Sequence, residues 1–160
     1  MAAKLPHEGV YVRLGPSAVH GIGVFAIRPI PAGTDIFAND GVPLVWVSKA
    51  ELEQAALTEA ERAFYRDFGI NRGDRIGCPA NFNNLTPGWY LNEPAPGAEA
   101  NVESIGNLSF VARRDIAEGE ELSIDYAGFS EQDFVLPAKA GIQTASDPLR
   151  RPGGFPLPRE

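Results

Sequence analysis

The chain has little thiol or imidazole to work with: one cysteine, Cys78, and two histidines, His7 and His20, in 160 residues. One thiol excludes an internal disulfide, and the three groups together cannot build a Cys/His zinc centre, so a protein without a metal is expected. Long apolar runs are also missing. None approaches the roughly 20 residues that cross a bilayer, and the opening Met1-Ala2-Ala3-Lys4-Leu5 lacks the apolar stretch of a signal peptide. No membrane association and a cytoplasmic location are the expectations. Positive charge is scarce, with 14 Lys and Arg against 21 Asp and Glu. Residues 137–160 hold four basic and two acidic residues, which concentrates the deficit in 1–136, ten basic against nineteen acidic. Such an acidic body disfavours nucleic acid as a partner, because phosphate recognition needs a basic face. It suits a basic peptide through complementary charge, and it equally serves solubility alone.

What is present is an ordinary globular composition, 44% hydrophobic and 22% charged in 17.2 kDa, which fits one domain with its own core. Short apolar runs at Val10 to Val12 and Val24 to Ile27 are punctuated by Gly15-Pro16, Gly21, Gly23, Pro31 and Gly33, a strand-and-turn pattern. Val42 to Val47 continues it, with Val45, Trp46 and Val47 suited to a pleated surface. Then Ser48-Lys49-Ala50-Glu51 and Thr58-Glu59-Ala60-Glu61 each form a capping-box signature, so two short helices are expected to end before Gly69, an insert over about 48–68. Phe64, Tyr65 and Phe68 form an apolar stripe that reads as packing. Residues 70–84 read as loops or short irregular strands, Trp89 to Asn92 as an aromatic strand end, and Ile105 to Ala112 and Glu121 to Tyr126 as strands. Residues 137–160, with five prolines and three glycines, are expected to be disordered or loosely docked. The fold class is mainly β with a small helical insert.

Three segments carry candidate chemistry. His20-Gly21-Ile22-Gly23-Val24 offers a tight turn that lets a backbone approach a ligand, although any hairpin can use glycine for the turn alone. Trp89-Tyr90-Leu91-Asn92-Glu93, with Asn101 nine residues after Asn92, supplies amides that bind a ligand or tie loops together. Gly119-Glu120-Glu121-Leu122-Ser123-Ile124-Asp125-Tyr126 ends a strand in Asp-Tyr. Taken alone it is an edge hairpin with solvated charges and a packed tyrosine.

In this order, with a helical insert between the first and the second, the segments resemble the SET domain family of protein lysine methyltransferases over residues 8–130. The resemblance implies several short curved sheets and a knot-like C-terminal threading, which is rare among folds. It implies methyl transfer from S-adenosyl-L-methionine to a lysine of a basic, lysine-bearing protein or peptide. Gly21, Ile22, Gly23, Asn92 and Glu93 would bind the cofactor, Tyr126 would be catalytic, and Phe129 and Phe134 would line the substrate channel or pack in the core. This chain departs from the family pattern in four places: Glu93 stands where the family has histidine, and Pro94 to Ala100 replace a short Ser-Cys-x-Pro link. No cysteine-rich module follows Tyr126, and an early second tyrosine is not evident, since Tyr11 precedes the glycine turn and Phe37 follows it. A homodimer that closes an open channel is one expectation. The alternative to an enzyme is a non-catalytic SET-like module that holds a peptide or the cofactor without turnover.

Overall fold

The computed structural model describes residues 5–38, 40–41, 43–106 and 109–131; Phe134 and the segment 137–160 lie outside them. The first sheet grows from the glycine-punctuated hairpin. β1 (Val12–Pro16) and β2 (Ile22–Ala26) pair antiparallel with Val12 opposite Ala26 and Leu14 opposite Val24. Ser17 organises the turn: its N–H donates to the Gly21 carbonyl at 2.9 Å, and its hydroxyl accepts from the N–H groups of Val19 and His20. Gly21 has φ of +48°, a conformation that costs glycine little and other residues more.

The second sheet is separate. β3 (Leu44–Ser48) leads into helices α1 (Lys49–Gln54) and α2 (Glu59–Phe68), and the chain returns as the hairpin β4 (Ile70–Arg72) and β5 (Arg75–Pro79), in the order β3-β5-β4. Both helices start at the capping boxes. Glu51 reaches back to the Ser48 N–H at 3.3 Å, and in the second box Glu61 accepts from the Thr58 N–H at 2.7 Å while Thr58 accepts from the Glu61 N–H at 3.2 Å. Residues 70–79 are more regular than the sequence implies. The cause is a tight turn with Gly73 at φ +55°, together with the Trp46 indole lying over Gly77, where a Cβ would come within 2.9 Å of the ring. Phe64, 42% exposed, stacks on Phe82 with ring centroids 4.9 Å apart, and Phe68 is buried against Tyr90.

Between the second sheet and the C-terminal segments, two further sequence expectations change. Trp89 and Tyr90 belong to a 3₁₀ helix, Pro87–Tyr90, rather than a strand end; Pro87 stands in its first turn, where a missing N–H costs nothing. The expected strand 105–112 is shorter, because Gly106 at φ +98° turns the chain between β6 (Val102–Ser104) and β7 (Phe110–Ala112) and leaves Ile105 63% exposed. β8 (Glu121–Leu122) joins the free side of β2, placing Leu122 opposite Val24, both wholly buried. Its continuation makes parallel bridges, Ser123 to Asn92 and Ile124 to Val102, and then turns into a 3₁₀ helix, Tyr126–Gly128. Val12, Val24, Ala26, Ile30, Leu91, Val102, Ile116, Leu122 and Ile124 form the core around that segment.

Candidate functional site

Asn92 joins the first two segments. It is 4% exposed, and its side-chain nitrogen donates to the carbonyls of His20 (2.9 Å) and Ile22 (3.1 Å), which flank Gly21. A third acceptor, Glu121 Oε1, lies at 3.3 Å. Its backbone carbonyl accepts from the Ile124 N–H at 2.9 Å, so one residue holds the glycine turn on one side and the third segment on the other. The amide nitrogen is thereby committed to the chain itself. What Asn92 can still offer a ligand is its side-chain oxygen.

Tyr126 completes the junction. Its hydroxyl donates to the Leu91 carbonyl at 2.7 Å, fixing the phenol beside the Asn92 peptide. With its proton given to Leu91, the phenol oxygen is left as a hydrogen-bond acceptor. Phe129 stands edge-on to Tyr126, ring centroids 5.9 Å apart, and edge-on to Phe110 at 5.4 Å; Phe110 in turn meets Phe37 at 6.3 Å. Edge-to-face contacts of this kind give an apolar wall of fixed shape. Phe37 thus packs into this wall from the turn after β2.

The glycine turn is crowded on its other side. Gly23 is buried, and a Cβ there would run into the Glu121 carboxylate and lie 3.0 Å from the Ser17 Cβ, so the carboxylate keeps this position only over a glycine and would have to swing aside for any side chain. Glu121 is half-buried, and among the described residues no cationic nitrogen lies within ion-pair distance of it. Glu120 differs. The Arg114 guanidinium donates to it, with further bonds from the Ala117 N–H and Asn101, and these hold its pKa down to about 2. Asn101, 2% exposed, also donates to the Glu121 carbonyl and accepts from the Ser123 N–H, the loop-tying role open to a buried amide.

Of the residues singled out from the sequence, Gly21, Ile22, Gly23, Asn92 and Tyr126 come together here, with Phe129 beside Tyr126. Glu93 is half-buried at the start of an exposed turn over 95–98, closed by the Ala98 N–H to the Ala95 carbonyl. Three contributors were not legible. Leu91 and His20 act through backbone carbonyls, which no side-chain motif reveals. Glu121 reads in sequence as a solvated edge charge, and only the pairing of β8 with β2 brings it over Gly23.

The SET domain family model matches residues 21–127. Among solved structures, the chain is similar to a Plasmodium falciparum protein proposed to be a histone methyltransferase, at 18% identity and a TM-score of 0.41, covering 72% of this chain and 91% of that one. It is also similar to the methyltransferase domain of human PR domain-containing protein 2, at 22% identity and a TM-score of 0.46, covering 82% of each chain. No curated protein matches it in sequence.

Proposed function

Because the chain belongs to the SET domain family, we propose that it transfers a methyl group from S-adenosyl-L-methionine to a lysine side chain of a basic protein. The observation that carries this reading is the meeting of the three motifs. Asn92 bonds the carbonyls on both sides of Gly21, and Tyr126 bonds the carbonyl next to Asn92. The residues present fit such a cofactor: a left-handed Gly21 carries no side chain to block approach to its backbone, and Asn92 keeps a side-chain oxygen for a donor. The cofactor supplies a methyl group already activated by the positive sulfur.

What remains for the protein is positioning, the main requirement of an in-line displacement. Tyr126 would accept a hydrogen bond from the substrate amine and so orient its lone pair. The wall of Phe129 and Phe110 would exclude water and favour the neutral amine over the ammonium. The acidic body would attract a basic substrate.

The test is incorporation of labelled methyl groups from S-adenosyl-L-methionine into core histones and other lysine-rich basic proteins. Incorporation at lysine that Tyr126→Phe lowers by about 100-fold or more, the scale of a lost positioning contact, supports the proposal. A folded protein that binds the cofactor yet labels none of these proteins overturns catalysis and leaves a non-catalytic SET-like binding module.

A further inference from the structure

The Asn92 amide has two hydrogens and three acceptors in reach. The two shortest contacts, to His20 and Ile22, use both hydrogens, so the contact to Glu121 Oε1 at 3.3 Å is the weak one. A half-buried carboxylate therefore stands over Gly23 and beside Asn92 with one weak hydrogen bond from the protein, its other oxygen left to water, and no cation within ion-pair distance among the described residues. Its neighbour shows what a compensated carboxylate looks like here: Glu120 is bonded by Arg114, Ala117 and Asn101. Leaving a partly desolvated charge uncompensated is unfavourable, and a ligand that brings positive charge relieves it.

We propose that Glu121 is the counter-ion of this site and makes it prefer a positively charged sulfonium donor over the neutral thioether left after methyl transfer. The inference rests on reading the junction of Gly21, Gly23 and Asn92 as the S-adenosyl-L-methionine site. Donor and product share the adenosine, the ammonium and the carboxylate, so those groups cancel when the two affinities are compared. What remains is the methyl group and the charge that it places on sulfur, and a fixed carboxylate discriminates on the charge. Release of product after turnover is then favoured by the same group that favours entry of the donor. Glu121 acts on the bound donor through its charge and takes no part in the bond exchange, so it is a specificity residue.

The experiment is calorimetric titration of S-adenosyl-L-methionine, S-adenosyl-L-homocysteine and sinefungin, which carries a protonatable amine in place of the methylsulfonium. Each is titrated into the wild-type protein and Glu121→Gln. Glutamine keeps one oxygen for Asn92 and the same shape, removes the charge and puts an amide nitrogen in place of the second oxygen. The expected result is that the affinity ratio of S-adenosyl-L-methionine to S-adenosyl-L-homocysteine falls on the order of three- to tenfold in the variant, the size of a partly solvated charge contact. Sinefungin should follow the donor and S-adenosyl-L-homocysteine should bind nearly as before. An unchanged ratio, or an equal loss for all three ligands, shows a merely structural Glu121 and overturns the proposal. Should the variant fail to fold, added salt on the wild-type protein decides it: donor binding must weaken more than product binding as screening rises, and parallel curves overturn the inference. Wild-type protein that binds none of the three overturns the cofactor reading itself.

Discussion

The helical insert and the site region are held together by opposite means. In the insert, β3 to β5 with α1 and α2, the deciding contacts are local: both capping boxes close over three residues, and β4 turns straight into β5. Aromatic packing then joins α2 to Phe82 and Tyr90. In the site region, side chains bond backbone across long stretches of chain, Asn92 to His20 and Ile22 over 72 and 70 residues and Tyr126 to Leu91 over 35. Local contacts make an element; distant polar ties make a site, because they fix segments whose own hydrogen-bonding patterns do not. The comparison also separates the costs of damage. Removing a capping residue exposes a donor to water, whereas removing Asn92 leaves two carbonyls at a buried junction without their donor.

That difference is open to attack. Asn92→Ala should have the largest effect, destabilising the protein by about 2–4 kcal/mol in chemical denaturation, since a buried amide serving several acceptors is lost. It should also abolish cofactor binding. Gly77→Ala strikes this region at the close contact beneath Trp46, and should cost about 1–3 kcal/mol as an overpacking defect while sparing cofactor affinity. Thr58→Ala removes a cap of α2 and should cost about 1 kcal/mol, again with cofactor affinity unchanged. If Thr58→Ala weakened cofactor binding as strongly as Asn92→Ala, the two regions would not be separable in this way.

The smallest expected effect concerns acid. Glu120 has its pKa lowered to about 2, chiefly by the Arg114 hydrogen bond. A group whose folded pKa lies below its unfolded value binds fewer protons in the native state. Its contribution is therefore fully present above the ordinary carboxylate range near 4.5 and is lost as pH falls toward 2. The pair is solvent-screened, so the loss should stay under about 1 kcal/mol. Comparing acid denaturation of wild type and Glu120→Gln checks it: the variant should lose less stability over that interval.

How much was legible follows the same division. Ser48 with Glu51 and Thr58 with Glu61 announce two helices because each signal and its partner lie within one helical turn. The β4–β5 hairpin reads only as loops or short irregular strands because its strands are short and polar, although Gly73-Asp74 between the paired Arg72 and Arg75 is a two-residue turn signal. Phe110 reads as part of a longer strand only when the Gly106-Asn107 pair, a hairpin-turn signal, is outweighed by the apolar residues on either side of it. For the site, Gly21, Gly23, Asn92 and Tyr126 were marked by the order of three motifs, but their mutual bonds were not. Glu121 was invisible as a site residue: its position over Gly23 comes from strand register, which one sequence does not encode locally.

The most direct test of the account is calorimetric titration of S-adenosyl-L-methionine into the wild-type protein, alongside Asn92→Ala and Tyr126→Phe. The account predicts saturable binding that Asn92→Ala abolishes and Tyr126→Phe largely keeps. Absence of binding at millimolar cofactor by demonstrably folded wild-type protein would contradict it.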